Sequence, residues 1–275
     1  MSEKSTLVLG GAGKTGRRIA ARLLANGVPV RLGMRSAMPP FDWANEATWA
    51  PALDGVDRVY VSYQPDLAVP GAADTIRGFS VLAVKSGVKR LVLLSGRGED
   101  DAQAAEAELR AAGAEWTVLR ASWFFENFSE GFLTDAVQSG LVALPPKDVR
   151  EPFISAEDIA DIAVAALTAD GHQGRVYELT GPRLMTFSEA VAEIGAATRR
   201  DIRYQPIPVE DFAAQLRADG LPDDYVALVV YLFTSVLDGR NQHLSDDVER
   251  VLGRKPRDFA DYARDTTAAG VWSMM

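Results

Sequence analysis

The run Leu7-Val8-Leu9 enters Gly10-Gly11-Ala12-Gly13-Lys14-Thr15-Gly16, and a helical pattern begins at once. No other stretch restricts the fold as tightly. A glycine at 10 allows a sharp turn off a strand, and one at 13 lets the backbone approach a pyrophosphate. The third, at 16, lets the following helix pack closely on the sheet. The free N–H groups and dipole of that helix then favour an anion at its N-terminus. A glycine-rich turn alone would explain the residues but not their order of strand, triplet and helix. The order predicts a dinucleotide-binding Rossmann unit over the first sixty-odd residues, with Gly10, Ala12, Gly13, Lys14, Thr15 and Gly16 as its cofactor loop.

Gly13-Lys14-Thr15 could pass for the end of a P-loop. That motif needs a glycine five positions before the second one, and Val8 stands there, inside the strand. Which dinucleotide is bound is read from the end of the second strand. An NAD-specific unit places an acid there for the ribose hydroxyls. Gly33-Met34-Arg35 has none, and Arg35 stands 19 positions beyond Gly16. A guanidinium matches phosphate geometry, so Arg35, helped by Lys14, points to the 2′-phosphate of NADP(H). The alternative is a solvated surface arginine. Asp42, the next acid, is placed to accept from the adenine amino group.

The rest of the first half alternates short apolar runs with helical patterns. Strands are expected at 6–10, 29–34, near Phe41, and at 57–63, 89–95 and 116–120. Helices are expected at 16–26, 71–86 and 101–112. Continuous apolar strands separated by helices imply a parallel sheet covered on both faces. In the second half 123–139 reads as helical, and Pro145 and Pro146 break the pattern. A helix at 157–168, strands at 176–180 and 202–207, a helix at 188–198 and a mainly helical remainder follow. The expected class is α/β, a doubly wound parallel sheet with a smaller, mainly helical C-terminal portion. Residues 1–122, with sheet additions from about 148–180, would form the NAD(P)-binding core. Residues 123–275 would form a substrate-binding portion that does not fold independently.

Composition removes several function classes. The chain has no cysteine and two histidines, His172 and His243, which leaves no thiolate chemistry and no histidine-rich metal cage. A net charge of −9 opposes direct binding to nucleic acid or an anionic membrane. Ser2, Glu3, Lys4 and Ser5 lead straight into the first apolar run, and no apolar stretch approaches a bilayer span. Cytoplasmic residence is the expectation.

Further motifs carry a family likeness. They are the glycine loop, Arg35, the strand Trp116-Thr117-Val118-Leu119-Arg120 and the segment from Ser122 through Trp123, Phe124, Phe125, Glu126 and Asn127 to Phe128. Later come Ala156-Glu157-Asp158-Ile159-Ala160 and the run from Gly171 to Gly181. Asp211-Phe212, Gly220-Leu221-Pro222 and Gly253-Arg254-Lys255-Pro256 complete the set. Together they resemble the NmrA-like branch of atypical short-chain dehydrogenases, and within it the bacterial NADPH-dependent quinone oxidoreductases. The resemblance covers nearly the whole chain. It implies a Rossmann domain plus a small C-terminal domain with a substrate cleft between them, and NADP(H) held by the loop and Arg35.

Open α/β sheets bind ligands beyond the carboxyl ends of their strands. That rule selects Ser62, Tyr63 and Gln64, then Ser95, Gly96 and Arg97, then Ala121, Ser122 and Trp123. Ser62, Tyr63, Ser95 and Gly96 are expected at the cofactor. Gln64, Arg97, Trp123, Phe124 and Asn127 are expected at a substrate. Tyr63, Ser95 and Asn127 are the polar groups nearest the chemistry. Ordinary short-chain dehydrogenases add a Tyr-x-x-x-Lys pair on the helix after the fifth strand, the lysine lowering the tyrosine pKa. Here that helix reads Asp101-Ala102-Gln103-Ala104-Ala105-Glu106-Ala107-Glu108-Leu109-Arg110, with neither residue. Gln103 and Glu106 fall where the resemblance often has a His-x-x-Glu pattern, and a glutamine is no acid. Glu106 is open to two readings, a buried acid or a solvated helix carboxylate.

Glu99, Asp100 and Asp101 read as a solvated loop and helix start. Trp123, Phe124 and Phe128 offer an apolar wall for a flat ring, although Phe125 and Phe128 suit a core equally. Quinone reduction asks little of the protein, because hydride transfer gives a stabilised hydroquinone anion that water protonates. Three functions follow: an NADPH-dependent reductase of a quinone or similar aromatic or conjugated small molecule, an NADP(H)-sensing regulatory protein, or a biosynthetic imine, enone or ketone reductase. No metal is expected, and a homodimer is compatible with each.

Overall fold

The computed structural model describes residues 4–145 and 148–273, so Ser2, Glu3 and Pro146 of the foregoing arguments lie outside the described residues. The chain divides into two compact units. The first comprises Met1–Ala121, Ala156–Leu179 and Arg250–Gly253, and the second Ser122–Ser155, Thr180–Glu249 and Arg254–Met275.

The first unit opens with β1 (Ser5–Leu9), α1 (Lys14–Ala25) and β2 (Val30–Gly33). There follow α2 (Trp49–Leu53), β3 (Val56–Val61), α3 (Ala72–Lys85), β4 (Arg90–Gly96), α4 (Asp100–Ala111) and β5 (Glu115–Ala121). The strand order β2-β1-β3-β4-β5 is parallel throughout, and a later strand extends it beyond β5. The order reverses at β1, between β2 and β3. Such a switch point opens a ligand crevice outside the carboxyl ends of the neighbouring strands.

Strand alternation sorts the core. Leu7, Leu9, Val59, Val61, Leu91, Leu93 and Val118 join one cluster with Ile76, Phe79, Ala102, Ala105 and Leu109 of α3 and α4. Residues one step out of phase, such as Tyr60, face the other way, and the Tyr60 hydroxyl donates to Thr15 Oγ1 of α1 at 2.9 Å. Helices therefore cover both faces, as continuous apolar strands require.

No strand forms near Phe41. Pro39 and Pro40 remove two N–H donors in succession, and the Phe41 N–H donates to the Met34 carbonyl at 3.0 Å instead of entering a ladder. The Phe41 ring packs edge-on to Trp43 and Phe79, with centroids 5.0 and 5.7 Å away. Its apolarity belongs to this aromatic cluster.

In the second unit the expected helix at 123–139 is broken. A single 3-10 turn, Phe125–Phe128, and α5 (Thr134–Ser139) share that stretch. Ile154 and Trp123 explain the break, since the Ile154 N–H donates to the Trp123 carbonyl and the Phe125 N–H to the Ile154 carbonyl, both at 2.9 Å. Those backbone groups are paired across the chain and cannot serve a helix. Next come β6 (Leu141–Leu144), a strand not read from the sequence, and then α6 (Ala156–Thr168) and β7 (Arg175–Leu179) of the first unit. The strand β7 pairs in parallel with β5 and is the sixth of the large sheet.

The chain continues with α7 (Phe187–Thr198), β8 (Arg203–Pro206), α8 (Val209–Ala218), α9 (Asp223–Tyr231), a π-helical turn at Leu232–Val236, α10 (Asp247–Leu252) and α11 (Phe259–Ala268), all in the second unit except α10 from Arg250 on. The strands β6 and β8 form a parallel pair. Phe125 and Phe128 lie fully within this unit's core, with Phe153, Phe187, Phe233 and Phe259 around them. Thr186 starts α7 with a capping box: its hydroxyl accepts from the Glu189 N–H at 3.1 Å, and its own N–H donates to the Glu189 carboxylate at 2.9 Å. A Thr186→Ala variant should lose about 1 kcal/mol of stability in urea unfolding. A melt superimposed on the wild type would contradict this cap.

Candidate functional site

The loop between β1 and α1 is built to approach an anion closely. Gly10 adopts φ +66°, a conformation that side chains resist. Its carbonyl accepts from the Gly13 N–H at 2.8 Å and closes the turn. A Cβ on Gly16 would drive into the Gly10 carbonyl oxygen and its carbon, both backbone, so only glycine fits. Gly13 then caps α1 without any side-chain hydrogen bond, and the first turn of α1 contains no acid. The other long helices of this unit each carry an acid there: Asp74 in α3, Asp100 and Asp101 in α4, Glu157 and Asp158 in α6. The start of α1 thus keeps its positive end for a ligand.

Arg35 follows β2 in a turn closed by the Ala37 N–H on the Met34 carbonyl at 3.1 Å. It is exposed, and no ion pair engages it among the described residues. Asp42 is half-buried, and its Oδ1 accepts from the Ala44 N–H at 3.0 Å. On the other side of the switch point, Ser62 and Tyr63 follow β3. The Ser62 carbonyl accepts from Trp43 Nε1 at 3.1 Å, and the Tyr63 ring lies 5.1 Å from that of Trp43. Trp43 was not legible as a site residue. It braces the strand end on which Ser62 and Tyr63 depend, and its aromatic company within the stretch 41–49 was the available signal. Gln64 is exposed.

At the ends of β4, β5 and β7 the structure gathers an ionic chain. Glu106 is completely buried, not solvated. Its Oε1 accepts from the Ser95 hydroxyl and from Arg120 Nε, both at 2.8 Å. Its Oε2 accepts from Arg120 Nη2 at 2.8 Å and from Arg110 Nη2 at 2.7 Å. The bond to Glu106 raises the Arg120 pKa still further above its ordinary range, against the opposing effect of burial. Arg120 also reaches Glu178 at 3.3 Å, and buried Arg97 donates to Glu178 at 2.7 Å. The hydrogen of Ser95 is therefore committed to Glu106, and Arg97 is committed to the strand that carries Glu178. Glu106 sits on the stripe Ala102, Ala105, Leu109 of α4, which is how its burial could have been read. A Glu106→Gln variant, leaving Arg120 without its carboxylate, should cost about 1.5–3 kcal/mol in urea unfolding. An unchanged midpoint would show the network to be dispensable.

Among Glu99, Asp100 and Asp101, the solvated reading fails for Glu99. It is buried, and its carboxyl occupies the space a Cβ on Gly96 would need. Asp100 and Asp101 are exposed in the first turn of α4.

In the second unit, Trp123 and Phe124 are half-buried. The Trp123 ring lies 5.2 Å from Phe187 and 5.0 Å from Phe233. Asn127 is half-buried in the 3-10 turn, its N–H on the Phe124 carbonyl at 3.2 Å. His172 Nδ1 lies 2.9 Å from the Tyr177 hydroxyl, and its pKa is lowered by burial and then by Arg90. A cavity of about 410 Å³ beside it, lined by Arg175, Tyr177 and Arg250, lies at the amino end of β7, the edge of the sheet opposite the glycine loop. No cluster of metal-ligating side chains occurs among the described residues, and no described helix is long and apolar enough to cross a membrane.

A parallel sheet with its switch point at a glycine loop, and an acid-free helix start beyond it, define a dinucleotide-binding fold. The chain belongs to the NAD(P)H-binding family, whose model matches residues 10–170, and it is an oxidoreductase. It is 33% identical to an agroclavine dehydrogenase of Claviceps fusiformis over 286 residues, with 98% of each chain covered. It is 32% identical to the festuclavine dehydrogenase easG of Aspergillus fumigatus, with 95% of this chain and 97% of the relative covered. Its fold is shared with an NADPH-dependent quinone oxidoreductase, QOR2, of Escherichia coli solved with NADPH. The TM-score is 0.76 at 23% identity, over 95% of this chain and 99% of the other.

Proposed function

We propose that this chain reduces a quinone or a similarly conjugated small molecule with NADPH, and does so without a Tyr-x-x-x-Lys relay. One observation carries the reading. The helix that would hold the relay, α4, has neither residue, and the one carboxylate it turns fully inward, Glu106, is locked by Arg110, Arg120 and Ser95. Such a site suits acceptors whose reduced form is stabilised by conjugation.

The residues present fit the cofactor. The loop Gly10–Gly16 and the uncapped start of α1 would hold the pyrophosphate, Arg35 with Lys14 the 2′-phosphate, and Asp42 the adenine. Ser62, Tyr63 and Gly96, at the ends of β3 and β4, would face the nicotinamide. The bound cofactor supplies hydride, and the protein supplies alignment. Tyr63, braced by Trp43, gives the ring a rigid side wall. Ser95 acts indirectly, by holding Glu106. Trp123, Phe124 and Asn127 of the second unit are assigned to the substrate. The two dehydrogenases that the chain resembles along nearly its whole length support a reductase over a regulatory protein.

The test is NADPH consumption with a panel of naphthoquinones, enones and cyclic imines, beside direct measurement of NADPH binding. Turnover is expected, fastest with quinones. Tight binding with no turnover on any acceptor would overturn the reductase and leave the sensor.

A further inference from the structure

Acceptors less stabilised than a quinone need a proton at the heteroatom, and β4 ends beside an acid with no other assigned role. Glu99 is 8% exposed and stands at the N-cap of α4 without a side-chain capping bond. Its carboxyl lies over the Cα of Gly96, the last residue of β4, in space that any side chain at 96 would fill. Glu99 Oε2 is buried and has no hydrogen-bond partner.

The charged group that faces it from another element is Asp66, in the loop after β3, whose Oδ1 accepts from the Ala68 N–H at 2.8 Å. On its own helix Asp100 and Asp101 are exposed, and Arg97 is engaged by Glu178. Burial, then the like charge of Asp66 and a hydrogen bond with that carboxylate, push the Glu99 carboxyl up to about 9. At neutral pH it is a carboxylic acid between the loops that follow β3 and β4, the strands beside the switch point.

Resting on the reductase reading, we propose that Glu99 is the proton donor for conjugated carbonyl and imine acceptors, which, unlike quinones, gain from an acid at the heteroatom. The acceptor carbon takes hydride from the reduced nicotinamide, and a C–H bond forms as the conjugated π bond breaks. The π electron pair moves to the oxygen or nitrogen. That atom takes the proton of Glu99, whose O–H bond breaks to leave a carboxylate, and water reprotonates it. Gly96 makes room for the acid, and Asp66 keeps it neutral.

Glu99→Gln tests the assignment, since glutamine matches the neutral acid in shape but has no proton to give. The ratio of enone to quinone turnover should fall about 100-fold. Wild-type enone turnover should decline as pH rises through about 9. In Asp66→Asn, with the like charge gone, that decline should move to lower pH.

Urea unfolding supplies a readout apart from activity. Below the ordinary carboxyl value of 4.5 the folded and unfolded chains both hold the proton, and from there to about 9 only the folded chain does. Wild-type stability should therefore fall across that window relative to Glu99→Gln. An unchanged enone-to-quinone ratio in Glu99→Gln, an unmoved limb in Asp66→Asn, or stability curves that run parallel with pH would each overturn the donor. A wild type that oxidises NADPH with no acceptor would overturn the reductase reading and the donor role together, while the unfolding curves would still report whether the acid is neutral.

Discussion

Replacing Gly16 by alanine should abolish NAD(P)H binding and destabilise the protein by about 3 kcal/mol or more. The added Cβ meets the backbone carbonyl of Gly10, and no rotamer can relieve a clash between main chain and Cβ. Either α1 lifts from β1, or the turn at Gly10 opens and its bond from the Gly13 N–H breaks. Both outcomes disperse the N–H groups that would meet the pyrophosphate. Gly27→Ala is the control for backbone strain alone, because Gly27 has positive φ but its Cβ would meet nothing within 4 Å. It should cost about 1–2 kcal/mol of backbone strain and leave binding intact. Cofactor-dependent shifts in thermal unfolding separate the two: the Gly27→Ala midpoint should still rise with NADPH, and the Gly16→Ala midpoint should not. An undiminished rise in Gly16→Ala would contradict the close-packed loop.

The second large effect is on selectivity. Arg35→Ser should erase the preference for NADPH over NADH, a change of about 30- to 150-fold from the loss of charge-assisted phosphate bonds worth about 2–3 kcal/mol. Arg35 is exposed, so stability should hold while affinity for NADPH falls and affinity for NADH does not. The wild-type preference should also shrink as salt is raised, because an exposed pair is screened. A preference that survives Arg35→Ser would assign the 2′-phosphate elsewhere, with Lys14 the next residue to replace.

The glycine loop was legible because its chemistry is local. Three glycines, a strand before and a helix after all lie within a few turns of chain, and each has a steric reason. The parallel sheet was legible for a similar reason, since strands buried on both faces read as unbroken apolar runs. The failures share a cause in distant partners. Phe41 reads as strand by composition, but Pro39 and Pro40 and the rings of Trp43 and Phe79 decide its conformation. The segment 123–139 has helical content, yet its backbone is claimed by Ile154, some thirty residues on. Glu99 reads as a solvated helix start because the acid that faces it, Asp66, comes from the end of another strand more than thirty residues back. Glu106 was half legible, from its place on the α4 stripe. That Arg120 and Arg110 hold it required the fold.

The missing relay carries the most functional weight, because it separates cofactor binding from ordinary dehydrogenase chemistry. A Rossmann loop by itself supports a sensor as well as an enzyme. The most direct test mixes the protein with one equivalent of NADPH, adds a naphthoquinone, and follows the absorbance of the bound reduced cofactor. Oxidation of the whole bound equivalent is expected, with matching formation of hydroquinone. Bound NADPH that stays reduced in the presence of quinone, enone and imine alike would contradict it.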